Sequence, residues 1–335
     1  MISNQQHDAV RRGAGLADVL DRGRLVVTGD DRAAYLHGLL SNDVLALGPG
    51  QGCYATYLTP QGRMICDLSV LNLGDRLLLD LPGRLKDAVL AKLQQFVFAE
   101  DVEIRDETES IGAIDLHGAE AGAVLARACG GDPEGFSDLG EYAHRPVEIA
   151  GHHVTVSGSR DVGLPGFRLY AGADAILALG QTLERHGAVR VQPAILHVLR
   201  VEAGRPVFGI DMDETTIPLE AGIEERAISM TKGCYVGQEI IVRVLHRGQG
   251  RVARRLVGLV VSAGDATQAT EGDLLEVDGT DIGRLTSVAR SPRFGVIALG
   301  YVRRDLAEPG VAVVVRHGGA RFDATVVALP FDAPA

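Results

Sequence analysis

The sequence predicts an α+β fold closed by a small all-β module. Strand-like and helix-like runs are interspersed through about residue 245. Within that stretch hairpin turns outnumber β-α-β crossovers, which argues against a doubly wound parallel sheet. From about residue 255 the helical texture disappears and short β-rich runs follow one another. At about 150 residues per domain, 335 residues suggest two domains or three small ones. We divide the chain into residues 1–245 and a C-terminal barrel at 246–335.

Arg24–Thr28 reads as a strand, and Gly29-Asp30-Asp31 opens a helix that runs to about Leu40 and stops at Asn42-Asp43. Gly48, Gly50 and Gly52 form a G-x-G-x-G run. The CYATYLT that follows is a strand rather than a helix, so the run is a poor phosphate loop. Strands at 53–58, 63–73 and 76–81, joined by turns at Pro60-Gln61-Gly62 and Gly74-Asp75, predict an antiparallel meander. A helix at 84–97, a strand at 102–105, a strand at 111–116 and an Ala-rich helix at 118–128 come next. Residues 129–145 are rich in Gly, Asp and Pro and read as a loop. Strands at 146–149, 153–157 and 167–171 lead to helices at 173–186 and 193–202. The runs LVGLVV, LLEV, IGRLTSV, IALGYV, VAVVV and ATVVAL then predict a small barrel.

Composition narrows the function. The 33 basic and 44 acidic residues give a net charge of −11, which weighs against direct nucleic-acid binding. Cys53, Cys66, Cys129 and Cys234 contain no C-x-x-C pair and are too sparse for a disulfide scaffold. The N-terminus has no apolar leader core, and no stretch is apolar for long enough to span a membrane. The expected setting is cytoplasmic, soluble and reducing, and no metal site is expected.

Four features carry chemistry. The first is the Lys232–Glu239 run, KGCYVGQE. A helix from Gly237 to His246, stopped by Gly248, would place Cys234 just before a helix N-terminus, with Lys232 two residues away. Both effects would lower a thiol pKa; the plain alternative is a small buried cysteine beside a glycine turn. The second is Asp67, a carboxylate in the otherwise apolar strand around MICDLSV. It either faces a cavity as a general base or cation ligand, or is an exposed strand residue. The third is residues 200–222, where Asp211, Asp213, Glu214 and Glu220 lack calcium-loop spacing and read as an irregular segment packed by its own side chains. The fourth is Arg243, Arg247, Arg251, Arg254 and Arg255, a solvated basic face or an anion site. The adjacent His152 and His153 point to opposite faces of a strand and make a poor paired ligand.

KGCYVGQE, the upstream LTPQGRM and the RVEAGRPVFGIDMDETTIPLEAG segment together resemble the YgfZ-type folate-binding proteins. These are relatives of the glycine cleavage T-protein (aminomethyltransferase), and they include factors for iron–sulfur cluster assembly. The C-terminal GRLTSVARSPRFGVIALGYVRR resembles the final barrel of the same superfamily. The resemblance implies a T-protein-like three-domain cloverleaf, with two interlaced α+β lobes over residues 1–245 and a C-terminal small β-barrel. It implies tetrahydrofolate, or a one-carbon derivative, in a central opening. Tyr54 matches the T-protein tyrosine, Cys66 replaces the first acid of an Asp-Asp pair, and Asp67 retains the catalytic acid. Asp67 and Cys234 are the catalytic candidates; Tyr54, Asp67, Glu202, Lys232, Gln238 and Arg243 are the cofactor-binding candidates.

Two departures count against glycine cleavage. Arg168 follows Gly166-Phe167 where the T-protein has glutamate, and Leu196 stands where it has arginine. The leading expectation is a folate-binding accessory protein for iron–sulfur cluster assembly or repair, including radical enzymes that modify tRNA. Its partners would be folate and iron–sulfur client proteins or assembly factors, and a monomer is expected. The alternatives are an aminomethyltransferase and a non-catalytic interaction module that has lost folate.

Overall fold

The computed structural model describes residues 4–131, 135–247, 251–262 and 268–331. The chain opens with α1 (Asn4–Arg12) and β1 (Gly15–Asp18). It continues with β2 (Arg22–Thr28), α2 (Arg32–Leu39), β3 (Gly52–Leu58), β4 (Met64–Asn72), β5 (Leu77–Pro82), α3 (Lys86–Gln94) and β6 (Glu103–Asp106). Then come β7 (Ile111–His117), α4 (Ala121–Ala128), β8 (His144–Ile149), β9 (His152–Ser159), β10 (Gly166–Gly172), α5 (Ile176–Arg185), β11 (Val189–Arg190) and α6 (Pro193–Glu202). A largely irregular stretch holds α7 (Pro218–Ala221), α8 (Glu224–Ala227) and α9 (Gln238–Val242). The last strands are β12 (Arg254–Val261), β13 (Leu274–Val277), β14 (Thr280–Ser291), β15 (Gly295–Arg303), β16 (Ala312–His317) and β17 (Ala320–Val327).

These strands make two sheets and a closed six-stranded barrel. The five-stranded sheet runs β3-β4-β5-β2-β6, and the six-stranded sheet runs β11-β1-β7-β10-β9-β8. The chain starts in the six-stranded sheet, leaves to build the whole five-stranded one, and returns, so the two lobes are interlaced. Among the described residues, the short β1–β11 pair is the one parallel strand pair in these two sheets. The barrel order is β12-β15-β14-β13-β16-β17.

Strand periodicity explains the layering. On β2 and β5, Leu25, Val27, Leu79 and Leu81 pack against α2 and α3 through Leu36, Leu39, Val89 and Leu93. On β7 and β10, Ile114, Leu116 and Leu169 pack against α4 and α5 through Val124, Leu125, Leu179 and Leu183. The alternate positions face the other way. There Val26, Leu71 and Leu78 of one sheet meet Ala113 and Tyr170 of the other. The helices therefore lie outside and the two sheets face each other. β5 is buried along its whole length because β4 and β2 flank it and both its faces are covered.

The predicted meander and most of the predicted elements are present, with the following differences. α1, β1 and β11 were not expected; β1 and β11 are too short to show a strand period. The helix expected from Gly237 to His246 is α-helical only over Gln238–Val242 and continues as a π turn at Arg243–Arg247. The β-branched run Ile240-Ile241-Val242 weakens it. Gly248, its expected stop, lies outside the described residues.

The irregular 200–222 segment is tied to its neighbours rather than packed only on itself. Asp211 is buried and accepts hydrogen bonds from Arg200 Nη1 at 2.6 Å, Thr286 Oγ1 at 2.6 Å and Ser287 Oγ at 2.6 Å. Arg200 Nη2 also donates to Ser287 Oγ at 2.7 Å. One carboxylate thus joins α6 to β14 of the barrel. Glu220 bonds Arg254, and Asp213 caps the turn at Thr215 and Thr216. Removing one partner of a buried ion pair strands the other charge. Asp211→Ala should therefore cost about 3–5 kcal/mol, read as a lower urea midpoint; a loss below about 1 kcal/mol would show that the barrel docks without this pair.

Candidate functional site

The space between the facing sheets is a cavity of about 410 Å³. That volume is in the roughly 300–1,000 Å³ range of small-molecule sites. Its lining follows from the same strand parity. Arg22, Tyr54, Asp67 and Ser69 come from the inner face of the five-stranded sheet. Asp115, His117 and Arg168 come from the inner face of the six-stranded sheet, and Asp161, Arg200, Arg205 and Arg226 lie on loops and on α6 and α8. Cys66 and Cys53 occupy the opposite parity and point into the helix-side core. Burial pushes both thiols up, Cys53 to about 12.

Asp67 is the chemically distinctive group. It is buried, and Tyr54 Oη donates to its Oδ2 at 2.8 Å, while Oδ1 has no hydrogen-bond partner. Burial raises its pKa above the ordinary aspartate value; Arg22 and the Tyr54 hydroxyl pull it down without cancelling the rise. The neighbouring carboxylates behave oppositely. Burial works against ionised Asp80, but Arg22 and Arg168 override it and the pKa falls. Asp115 follows the same pattern because Arg168 clamps it with Nε at 2.7 Å and Nη2 at 2.8 Å. Arg168 also reaches Asp161 at 3.2 Å. His117 fits behind this clamp because residue 166 is glycine: a Cβ there would lie 2.2 Å from His117 Nδ1.

Aromatic groups line one wall. The Tyr54 and Tyr142 rings are parallel within 9°, with centroids 6.3 Å apart, and the Arg226 guanidinium lies 4.9 Å from the Tyr54 ring centre. Arg226 Nη2 donates to Tyr142 Oη at 3.0 Å and Glu141 Oε1 at 2.9 Å. Tyr142 has φ 64°, a left-handed conformation uncommon for a side chain of this size. Its backbone N–H donates to Gly158 O at 2.9 Å, which holds it there.

Two models of protein families match this chain: "GCVT N-terminal domain" over residues 1–232 and "Glycine cleavage T-protein C-terminal barrel domain" over residues 254–332. The chain belongs to the GCVT family. An aminomethyltransferase of Rubrobacter xylanophilus is 32% identical over 97% of this chain and 85% of its own length. An aminomethyltransferase of Geobacillus kaustophilus is 32% identical over 98% of this chain and 89% of its own. The crystal structure of the glycine cleavage system aminomethyltransferase T from Bartonella henselae shares the fold, with TM-score 0.86 and 24% identity over 98% of this chain and 89% of that one. The T-protein-like arrangement of two interlaced lobes and a C-terminal barrel is therefore the fold of this chain.

Within this GCVT-family fold the candidate residues separate. Tyr54 and Asp67 meet in the cavity; Cys234, Lys232, Gln238, Arg243 and Glu202 do not line it. Lys232 was expected to act on Cys234. Instead its ammonium turns inward to the carbonyls of His37 at 2.5 Å, Leu40 at 2.6 Å and Asn42 at 3.0 Å. It caps the C-terminal end of α2, whose last carbonyls lack helical partners. Burial draws its pKa down to about 8, against the pull of Asp43 and Cys53. Cys234 is exposed, four residues ahead of a helix of only five, so the expected helix-terminus effect on it has little geometry behind it. Tyr235 enters the core, and Gly237 packs on the Thr59–Gly62 turn, where a Cβ would meet Thr59 O at 2.6 Å. KGCYVGQE and LTPQGRM therefore touch in space. Gln238 begins α9, and Arg243 is exposed and pairs with Glu239 at 2.6 Å. Arg251 and Arg255 are exposed, and the side chain of Arg247 lies outside the described residues. Glu202 is buried between α1 and the barrel, bonded to His7 at 2.9 Å and Ser291 at 2.5 Å.

Sequence reasoning did not single out Asp80, Asp115, His117 and Tyr142. The signal used for Asp67, a charged residue in an apolar strand, is equally present in LLLDLP and IGAIDLH. No sequence pattern marks Tyr142, whose position depends on a loop conformation.

Two outcomes follow from these environments. The folded chain holds the Asp67 proton more tightly than the unfolded chain does. The stability linked to that group is therefore full below the ordinary aspartate pKa and is lost as pH rises through the raised one. Asp67→Asn keeps an acceptor for Tyr54 and removes the ionisation. Its melting temperature should exceed that of the wild type at about pH 8 and converge with it toward about pH 4; a variant less stable at the higher pH would show a charged, paired carboxylate. Lys232→Met removes the ammonium from three carbonyls, that of Leu40 buried and those of His37 and Asn42 half-buried, and should cost roughly 2–4 kcal/mol, measured by urea unfolding.

Proposed function

We propose that this chain binds a reduced folate in the cavity between its sheets and acts on the one-carbon unit that the folate carries, as an aminomethyltransferase-type transferase. The observation that carries the reading is the free Oδ1 of buried Asp67. An unpartnered buried acceptor costs about 1–3 kcal/mol, and a ring N–H of a reduced pterin matches it in chemistry. Parallel tyrosine faces suit a flat ring, and Arg205 and Arg226 at the loop side suit a carboxylate tail. The family membership and the names of the relatives point the same way.

When bound, tetrahydrofolate supplies N5 as the atom that takes or gives the one-carbon unit. The chain's residues do the rest. Asp67, whose pKa burial raises above the ordinary aspartate value, accepts a proton at Oδ1 and returns it beside that nitrogen. The Tyr54 hydroxyl fixes the orientation of the carboxyl through Oδ2. Arg22 limits how far its pKa rises.

A second reading, an accessory factor for iron–sulfur enzymes of the YgfZ type, including those that modify tRNA, is favoured by two observations. Cys234 is exposed within an otherwise anchored segment, and Arg168 is clamped by carboxylates where the T-protein resemblance implies a glutamate. In that reading Cys234 meets a client protein or assembly factor.

Anaerobic calorimetric titration with tetrahydrofolate tests the shared core of both. Saturable binding is expected, weakened about tenfold or more in Asp67→Ala; no heat at high micromolar ligand overturns it. Methylene-tetrahydrofolate formation from an aminomethyl-lipoyl carrier protein supports the transferase. Restoration of an iron–sulfur enzyme defect that is lost in Cys234→Ala, at unchanged melting temperature, supports the accessory role.

A further inference from the structure

Three arginines and a tyrosine meet on the outer face of the barrel, and none of them lines the central cavity. Arg254 of β12 pairs with Arg303 of β15, and Arg284 of β14 pairs with Tyr301 of β15. Cross-strand partners share a face, so all four side chains do. The alternate residues, among them Val257, Leu285 and Val302, belong to the barrel core. The four outer residues, with Leu274 and Ile282, line a pocket of about 290 Å³. Arg254, Arg284 and Tyr301 also line an adjoining pocket of about 240 Å³, beside Asp213, Thr216 and Glu271. The two pockets are therefore contiguous, and together they reach the size of a small-molecule site.

Two features of the first pocket are costly by themselves. Arg254 and Arg303 are like charges directly opposite on neighbouring strands, which destabilises a sheet. Tyr301 is 4% exposed, and its hydroxyl, beside Thr216, makes no hydrogen bond of good geometry. The guanidiniums have carboxylate neighbours: Glu220 at 3.1 Å from Arg254, Asp305 at 2.7 Å from Arg303 and Asp213 at 3.8 Å from Arg284. Among the described residues, none of these carboxylates lines the first pocket. Arg284 is the least engaged, since its one ion pair is too long for a hydrogen bond. The Arg254 guanidinium lies 4.5 Å from the Tyr301 ring centre, which fixes its orientation. Guanidiniums from three strands and a spare hydroxyl match the several oxygens of a phosphate group. The adjoining pocket has the opposite character. Asp213 and Glu271 bring carboxylate oxygens to it, and those accept from hydroxyl groups.

We propose that the outer face of the barrel binds a small sugar phosphate, with the phosphate among Arg254, Arg284, Arg303 and the Tyr301 hydroxyl, and the sugar hydroxyls on Asp213 and Glu271. The site does not depend on what the central cavity holds. It also gives Arg254, a member of the basic run from Arg243 to Arg255, a role as an anion ligand.

The test is calorimetric titration of the full chain at low salt with ribose 5-phosphate, ribose, gluconate and inorganic phosphate, in the wild type, Arg284→Gln and Tyr301→Phe. Ribose 5-phosphate should bind saturably, about tenfold or more tightly than gluconate or inorganic phosphate, and ribose should give no heat. Each substitution should weaken ribose 5-phosphate about tenfold, and added salt should weaken it in the wild type. The affinity for tetrahydrofolate should be the same in all three proteins. Tyr301→Phe removes a hydroxyl that lacks a good partner, so its melting temperature without ligand should match or exceed that of the wild type. A lower melting temperature would show that the hydroxyl is already bonded and overturn its role. No saturation by about 10 mM ribose 5-phosphate, or an affinity that both variants keep, overturns the site. Gluconate or inorganic phosphate binding equally well overturns the sugar phosphate as its ligand.

Discussion

The fold depends on a chain of buried charges strung between its two sheets. Asp80, fully buried on β5, accepts from Arg22 Nε at 2.5 Å, from Tyr170 Oη at 2.7 Å and from Arg168 Nη1 at 3.4 Å. Arg168 in turn clamps Asp115. Arg22 and Asp80 belong to one sheet, and Tyr170, Arg168 and Asp115 to the other. Each of these groups carries a large desolvation cost, which is offset only when every charge has a partner of good geometry. Sliding one sheet over the other would break several of these pairs at once. The facing sheets are held in one register, and the space that remains between them is the cavity.

The same network assigns different states to chemically identical groups. Asp80 and Asp115 face guanidiniums and stay ionised, with lowered pKa values. Asp67 faces a tyrosine hydroxyl and an open volume, and its pKa is raised. Environments that push carboxyl pKa values apart are how one fold obtains both structural anions and an exchangeable proton. The arginine clamp that stabilises the lobes is thus also what leaves Asp67 free for chemistry.

Much of the candidate site was legible because strands write their exposure into a period of two. Asp67 stands out as a carboxylate in an apolar strand and Tyr54 is marked by the family resemblance; that the two share a face is set by the β3–β4 register, in which Tyr54 lies opposite Ser69 and Asp67 opposite Thr56. The longer helices α2 to α6 were legible by period as well, whereas α1 and the short α7, α8 and α9 were not. The KGCYVGQE segment was not, because it is an irregular turn in which neighbours diverge: Lys232 goes inward to cap α2, Tyr235 enters the core and Cys234 faces outward. Proximity in sequence suggested that Lys232 acts on Cys234; the unsatisfied carbonyls at the end of α2 are the stronger attraction. Glu202, another of the cofactor-binding candidates, belongs to the junction of α1, α6 and the barrel.

The sequence by itself determined the α+β class, the C-terminal barrel, an antiparallel meander with Asp67 as a carboxylate in an apolar strand, and a charge unsuited to general nucleic-acid binding. These are local properties, fixed by hydrophobic period, turn residues and composition. The tertiary structure decided which charged residues meet. The pairing of Asp80 with Arg168 spans 88 positions, and that of Arg200 with Ser287 spans 87. Whether a buried carboxyl is ionised, and whether an arginine has a spare donor, depends on such distant partners. Electrostatic energy is set by separation in space and by burial, and neither is written in the order of residues along the chain.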